Sequence, residues 1–173
     1  MTEIYVGDGK GKSTAAAGLA LRAVGRGLPV TYVQFLKDGT SGEISVMRGI
    51  PGIEVVIPDR FFGFVSGMSG SEKAEIRDSY DRVLKDLRKK HCVEDGADSV
   101  IIMDEVLHAV HYGLIDTEAL LDLMDDVPSG TEIVLTGRDM PRLIEERADY
   151  ITRFEKVRHP FDKGIRARKG IEY

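Results

Sequence analysis

Short runs of β-branched and aliphatic residues recur along the chain, with helix-length segments between them. Six runs have the composition of strands: residues 4–6, 30–35, 53–57, 100–103, 133–135 and 150–152. Several show little alternation between apolar and polar positions, as parallel strands buried on both faces do. Strands spaced in this way predict an α/β fold with three layers and a mainly parallel central sheet.

Three segments between these runs have helical patterns. A small-residue helix is predicted from about Lys12 to Gly25, and a long charged helix from about Ser71 to Lys90. Asp116 is predicted to be the N-cap of a further short helix that ends before Pro128.

Two long segments are predicted to be loops. Residues 37–52 and 58–70 are rich in glycine and proline, and the second contains Phe61, Phe62 and Phe64. Loops of this length in an α/β domain are usually functional. Core packing and contact with a flat ligand or a partner are both open for these phenylalanines, and their clustering between glycines favours contact.

Composition narrows the class of protein. The 173 residues suit a single domain, residues 1–173, with its own hydrophobic core. A formal net charge of −5 argues against a nucleic-acid partner. No apolar run approaches the roughly 20 residues of a membrane span, and the N-terminus lacks the pattern of a secretory leader. With a lone cysteine, Cys92, these features predict a cytoplasmic protein without membrane association.

The strongest chemical signal is a glycine-rich turn between the first strand and the first helix. The letters EIYV are followed by GDGKGKST, where glycines allow backbone N–H groups to point at phosphate oxygens. Lys12 would reach the outer phosphates, and the Ser13 hydroxyl would bind Mg²⁺. The loop is a variant of GxxxxGK[ST], because Val6 stands at the first glycine position. A dinucleotide fingerprint is not indicated, because Lys12 stands where its third glycine should be.

Two later strands end in residues suited to the same ligand. The run SVIIMDE ends in Asp104 and Glu105, which would hold a metal ion, although a solvent-facing turn is the alternative. LTGRDMP places Arg138 after another strand, where it would contact phosphate or ribose, or pair with a carboxylate. Arg22 in the first helix is a weaker candidate of the same kind. Lys12, Glu105 and Arg138 are the candidate catalytic residues.

In this combination the sequence resembles the P-loop ATP:corrinoid adenosyltransferases, also called cob(I)alamin adenosyltransferases. The resemblance covers nearly the whole chain and runs in the family's order. The matching blocks are GDGKGKSTAAAGLALRAVG, VQFLKDG, VIIMDEV, LTGRDMPRLIEERADYIT and the terminal KGIEY.

The resemblance implies a RecA-like P-loop NTPase fold, usually dimeric. It also implies transfer of the 5′-deoxyadenosyl group of ATP to Co(I) of a corrinoid, with release of triphosphate and an electron donor such as a flavoprotein reductase. Mg²⁺ or Mn²⁺ would be held by Ser13 and one of Asp104 or Glu105, and Phe64 would lie against the corrinoid. The residues that would cradle the triphosphate are Gly7, Asp8, Gly9, Lys10, Gly11, Lys12, Ser13 and Thr14.

The chain departs from the family pattern at three positions. Asp8 stands where the family has asparagine, and it would either oppose an anionic ligand or accept from a ribose hydroxyl. Ser66 stands where a tryptophan is expected, so Co(II) activation would either depend on Phe61 or Phe62 or be weaker. Arg168 replaces glutamine.

Two other functions remain as alternatives. One is a P-loop ATPase or small-molecule kinase in which Glu105 orients a water molecule or a substrate hydroxyl. The other is a non-catalytic nucleotide-sensing module. His108 and His111 have a spacing compatible with a metal site, but packing is the ordinary interpretation.

Overall fold

A computed structural model describes residues 1–93 and 98–172 of the chain. Six strands form one sheet in the order β3-β2-β4-β5-β1-β6, and every neighbouring pair is parallel. The predicted α/β class is therefore confirmed, and all six predicted strands are present with ends shifted by at most two residues. The strands are β1 (Thr2–Val6), β2 (Val30–Gln34), β3 (Ile53–Val56), β4 (Ser99–Asp104), β5 (Thr131–Gly137) and β6 (Tyr150–Arg153).

The helices include all three that the pattern predicts. They are α1 (Lys12–Val24), α2 (Gly42–Met47), α3 (Gly70–His91), α4 (Val106–His111), α5 (Thr117–Asp126) and α6 (Arg142–Glu145). Two short 3₁₀ helices span Val65–Gly67 and Pro160–Lys163. The start of α3 is sharply defined, because Ser69 and Glu72 form a reciprocal capping box.

One predicted loop needs correction. Residues 37–52 are not loop throughout, because α2 lies within them. Ile44 and Met47 sit three residues apart on one face of this helix, and both are buried against the sheet. Their burial gives a six-residue helix the packing energy that its own hydrogen bonds do not supply.

Two cores, one on each face of the sheet, produce the three layers. On one face α1 and α2 cover Tyr32, Ile102 and Val134. Alanines on the buried side of α1 let this helix approach the strands closely. On the opposite face α3, α4 and α5 cover a larger apolar cluster that includes Phe35 and Met103.

This topology brings four strand ends to one edge of the sheet. Strand β5 separates β1 from β4, and the register pairs Val6 with Gly137 and Gln34 with Asp104. Residues that follow these strands are therefore close in space although they are far apart in sequence. In the described ranges, no helix is long and apolar enough to cross a membrane.

Candidate active site

The glycine-rich turn between β1 and α1 is tied to the ends of two neighbouring strands. The Gly7 N–H donates to the Arg138 carbonyl at 3.0 Å, and the Gly9 N–H donates to the Phe154 carbonyl at 2.8 Å. Gly7 has φ of +121°, and a Cβ there would collide with the carbonyl oxygen of Phe154. Only glycine fits this position. The two backbone hydrogen bonds hold the loop in one conformation.

Lys12 lies inside the loop that it closes. Its ammonium donates to the carbonyl oxygens of Gly7 at 2.6 Å and Gly9 at 2.9 Å. Burial lowers the pKa of Lys12, an effect that Glu105 and the other nearby carboxylates oppose. Both contacts are with uncharged carbonyls, so an anionic ligand would compete for this ammonium with a full charge.

Asp104, at the end of β4, is the centre of a buried hydrogen-bond cluster. Its side chain is fully buried. The hydroxyls of Ser13 and Thr136 both donate to Oδ1 at 2.8 Å. The Lys37 ammonium donates to Oδ2 at 2.9 Å, and the Gln34 amide lies 3.4 Å from the same oxygen. The cluster joins the first turn of α1 to the ends of β2, β4 and β5.

Glu105, the next residue, has a strained backbone. Its φ of 62° lies in the left-handed region that side chains rarely adopt, and its N–H donates to the Thr136 hydroxyl at 2.9 Å. Its carboxylate contacts Nδ1 of His108. Such conformations persist where surrounding contacts enforce them, often in functional sites.

The oxygen atoms at this edge fit a magnesium ion. Mg²⁺ uses one or two carboxylates, phosphate oxygens and several waters rather than a cage of protein ligands. Ser13 and Asp104 supply a hydroxyl and a carboxylate side by side. The buried Oε1 of Gln34 accepts no hydrogen bond from the described residues, which suits it to a metal-bound water. Within residues 1–93 and 98–172 no three histidine, cysteine or acidic side chains form a metal cage, and Mg²⁺ needs none.

A cleft of about 680 Å³ opens over the turn and the Asp104 cluster. This volume lies within the usual range for small-molecule sites, about 300–1,000 Å³. The cleft is lined by residues 9–14, Ala17, Lys37, residues 41–43, Glu105 and residues 170–172. The predicted glycine loop and Glu105 therefore share one cavity.

The C-terminal segment forms part of the cleft wall. The Arg168 guanidinium donates to the Glu172 carboxylate at 2.9 Å, and these hydrogen bonds lower the pKa of Glu172 to about 2. Arg168, one of the departures from the family pattern, thus folds the segment onto itself. Tyr173, the last residue of the terminal KGIEY block, lies outside the described residues.

Asp8 and Arg138 lie beside the loop, at the ends of β1 and β5. The Asp8 carboxylate accepts from the Lys156 N–H at 3.1 Å, and this hydrogen bond is the main cause of its lowered pKa. The exposed Arg138 side chain lies close enough to lower the pKa values of Asp8 and Lys12 further.

Arg22 is separated from the other candidates. It is exposed in the last turn of α1, ten residues beyond Lys12 and so about 15 Å along the helix axis. It is absent from the described residues that line the cleft. Its predicted contact with the ligand has no support from this geometry, because the helix carries it away from the loop.

The segment of residues 58–69, called the phenylalanine loop below, lies beyond β3 and outside the cleft wall. Phe64 is 90% exposed, whereas Phe61 and Phe62 are 42% and 38% exposed. Core packing is therefore the wrong interpretation for Phe64. The base of the loop is tied to α3, because the Asp59 carboxylate accepts from Ser79 and Arg82.

Three polar residues of the site did not appear among the predicted ones. Gln34 ends β2, Lys37 follows it and Thr136 lies near the end of β5. Each is within three residues of a strand's carboxyl end, which is the signal that identifies Asp104. Their shared contact with Asp104 depends on strand order, which the sequence pattern does not reveal.

Comparison with known proteins gives a family for this arrangement. A family model described as ATP:corrinoid adenosyltransferase BtuR/CobO/CobP matches residues 1–173. The corrinoid adenosyltransferase of Escherichia coli strain K12 is 32% identical over 98% of this chain and 84% of its own length. A Sinorhizobium relative of the same name is 32% identical over 98% of this chain and 78% of its own. Corrinoid adenosyltransferase CobA of Salmonella typhimurium is 30% identical over 98% and 84%.

A solved structure supports the fold independently. The cytoplasmic domain of the type VII secretion ATPase EccC from Thermomonospora curvata aligns with a TM-score of 0.52 at 12% identity. The alignment covers 95% of this chain and 21% of that one. At this identity the likeness concerns the fold alone, and it agrees with the predicted three-layer P-loop NTPase fold.

Proposed function

This chain belongs to the ATP:corrinoid adenosyltransferase family, and we propose that the cleft beside Asp104 binds the triphosphate of ATP for that reaction. The enzyme transfers the adenosyl group of ATP to a corrinoid. The alternative of a P-loop ATPase or small-molecule kinase is not favoured, because the family and the similar enzymes above are named for adenosyl transfer.

The protein does not need to generate a nucleophile, because Co(I) of the corrinoid is itself the nucleophile. The electron pair of Co(I) attacks C5′ of ATP, the bond from C5′ to oxygen breaks, and triphosphate leaves with that bond's electrons. The enzyme must align C5′ with cobalt and stabilise the charge of the leaving group. Lys12 and the amides of residues 9–14 are suited to the second task, because they converge on one cavity.

A magnesium or manganese ion would sit between Ser13 and Asp104. There it would neutralise part of the triphosphate charge. Glu105 would accept from water at the rim of this site, and its contact with His108 would keep its carboxylate oriented. Arg138, exposed beside the loop, would contact a phosphate or the ribose.

One observation carries the assignment of the cleft. The Ser13 hydroxyl donates to Asp104 at 2.8 Å, which joins a phosphate-binding loop to an acidic strand end. A hydroxyl and a carboxylate in contact beside a lysine and helix N-terminal amides are the combination that binds a metal–polyphosphate complex.

Phe64 is proposed to contact the corrinoid. A corrin ring is broad and flat, and an exposed phenyl ring on a loop offers an apolar surface to such a ligand. Apolar contact that excludes water and the lower ligand of cobalt would make Co(II) easier to reduce. Ser66 stands in the adjoining 3₁₀ helix where the family has tryptophan. Phe61 or Phe62 would then assist Phe64, or activation of Co(II) would be weaker.

Three further features complete the proposal. We propose a homodimer, since the edge strand β6 is exposed throughout and Ile151, Val157 and Phe161 are exposed apolar side chains nearby. Light scattering after gel filtration would test this, and a monomer at micromolar concentration would contradict it. A flavoprotein reductase would supply the electron that converts Co(II) to Co(I), and both proteins would act in the cytoplasm.

The products of an anaerobic incubation test the function. With ATP, Mg²⁺ and chemically reduced cobalamin, we expect an adenosylated corrinoid and an equal amount of triphosphate. Accumulation of ADP without an adenosylated corrinoid would indicate phosphoryl transfer instead. ATP binding without either product would indicate a nucleotide-sensing module.

A further inference from the structure

Lys37 lies where a positive charge is most needed in the site. Its ammonium is 2.9 Å from Asp104 Oδ2 and 3.2 Å from the Ser13 hydroxyl. The Lys37 side chain is 32% exposed, whereas that of Asp104 is fully buried. The ammonium therefore lies between the two side chains that are suited to hold a divalent cation.

The backbone before Lys37 is bent to make this contact. Leu36 has φ of 56°, in the left-handed region, and its N–H donates to the Tyr80 hydroxyl at 2.9 Å. The Tyr80 ring packs edge-on against Phe35, with the ring centroids 4.8 Å apart. A non-glycine residue rarely adopts this conformation, so neighbouring contacts must enforce it. The bend turns the chain from β2 into the cleft.

The contact between Lys37 and Asp104 balances the negative charge of the buried carboxylate. A fully buried carboxylate is costly without a compensating charge, and Lys37 is the cation in direct contact with Asp104 within the described residues. An ammonium and a divalent cation that use the same oxygens compete for them.

We propose that Lys37 is a placeholder for the metal and a second cation for the triphosphate. It neutralises Asp104 while the nucleotide is absent, and it moves to a phosphate oxygen when a divalent cation enters with ATP. Lys37 and Lys12 line the same cleft, so the flexible stem of Lys37 keeps its ammonium within reach of the phosphates. This inference rests on the proposed use of the cleft for ATP.

Removal of the Lys37 charge should change two affinities in opposite directions. In Lys37→Met, Mn²⁺ should bind the nucleotide-free protein more tightly, by about tenfold, because its competitor is gone. ATP at saturating Mg²⁺ should bind about tenfold more weakly, because a charge-assisted contact with phosphate is lost. Mn²⁺ electron paramagnetic resonance and ATP calorimetry measure the two affinities.

Lys10→Met is the matched control. It removes the same charge from the same cleft, but Lys10 is exposed and lies near Glu172. Its Mn²⁺ affinity should stay within about twofold of the wild-type value, since exposed charges interact weakly through water. Mn²⁺ binding no tighter in Lys37→Met than in wild type, undetectable binding in both included, would overturn the proposal. Unchanged or stronger ATP binding in Lys37→Met would overturn it as well.

A second measurement needs no variant. The acetylation rate of Lys37 in wild-type protein, followed by mass spectrometry, should rise severalfold when saturating Mn²⁺ releases the ammonium. Addition of ATP with Mn²⁺ should lower it again. A rate insensitive to Mn²⁺ would contradict the exchange. Adenosylation activity of the wild-type protein should be measured in the same preparation. Absence of that activity would count against the proposed function, whereas a Mn²⁺-insensitive acetylation rate in active protein would count against the role of Lys37.

Discussion

The glycine loop and the phenylalanine loop lie at the same edge of the sheet but are built in opposite ways. Residues 7–13 are tied by backbone and side-chain hydrogen bonds to β4, β5 and the end of β6. Residues 58–69 are joined to α3 near their base through Asp59, and Phe64 at their tip is 90% exposed. One loop has a fixed shape before any ligand arrives, whereas the other presents an apolar side chain to solvent.

The difference follows from what each loop is proposed to bind. Stabilisation of charge on a leaving group works best when donors are oriented in advance and need no reorganisation. A large apolar ring gains by burial against an exposed side chain, and such contact requires little directional precision. Substitutions in the first loop should therefore slow the reaction from both Co(I) and Co(II), and substitutions in the second should slow mainly the reaction from Co(II).

The largest effect is expected at Lys12. Lys12→Ala removes a charge aimed at the leaving triphosphate, and removal of one preorganised donor typically costs about 10²–10³-fold in rate. We expect kcat/KM with Co(I) and ATP to fall by that order. Lys85→Ala, which removes an exposed lysine from α3, is the control and should retain wild-type activity. Near-normal turnover in Lys12→Ala would contradict the assignment of the loop.

Rigidity of the loop is tested at Gly7. Gly7→Ala places a Cβ against the Phe154 carbonyl at a φ of +121°, so either the loop or β6 must shift. We expect the free energy of unfolding to fall by about 1–3 kcal/mol and ATP binding to weaken with it. Chemical denaturation and calorimetry measure the two effects.

Gly18→Ala is the matched glycine control. Gly18 lies on the exposed side of α1, and a Cβ there meets nothing within 4 Å. This change should stabilise the protein by about 0.4–1 kcal/mol and leave ATP binding unchanged. Equal behaviour of the two variants would show that the loop is less constrained than its contacts indicate.

The most selective effect, and the smaller of the two effects on reaction rate, is expected at Phe64. Burial of a phenylalanine side chain is worth about 1.5–3 kcal/mol, which corresponds to about tenfold or more in a rate that depends on it. Phe64→Ala should lower the rate from Co(II) with a reductase by that factor and change the rate from Co(I) far less. Stability should stay within about 0.5 kcal/mol, because the side chain is exposed.

Leu21→Ala is the control for loss of an exposed apolar side chain. Leu21 is 50% exposed on α1, outside the phenylalanine loop. Its removal should leave both rates unchanged. Equal losses from Co(I) and Co(II) in Phe64→Ala would mean that Phe64 has no special part in Co(II) activation.

Strong periodic signals predicted most of the fold. The buried strands and the long helices α1 and α3 could be recognised because many residues contribute to each pattern. Helices α2 and α6 span six and four residues and depend on burial of Ile44, Met47 and Ile144 for their packing. Helices this short carry too few turns to show a periodic pattern.

The site was predictable where it follows a local motif. Lys12, Ser13 and Asp104 come from such motifs, and the structure brings them together. Lys37 and Thr136 join Asp104 only because of the strand order, which no local pattern encodes.

Arg22 and Asp8 show that distance along the sequence is a poor guide to contact in space. Arg22 is near the loop in sequence, but the helix carries it away. Asp8 finds its partner, the backbone of Lys156, 148 residues along the chain.

A crystal structure of the protein with ATP and Mg²⁺ tests the central claim most directly. The account predicts triphosphate against the amides of residues 9–14, Lys12 on its phosphates and the divalent cation between Ser13 and Asp104. Nucleotide bound at another place, with Lys12 still on the carbonyls of Gly7 and Gly9, would contradict it.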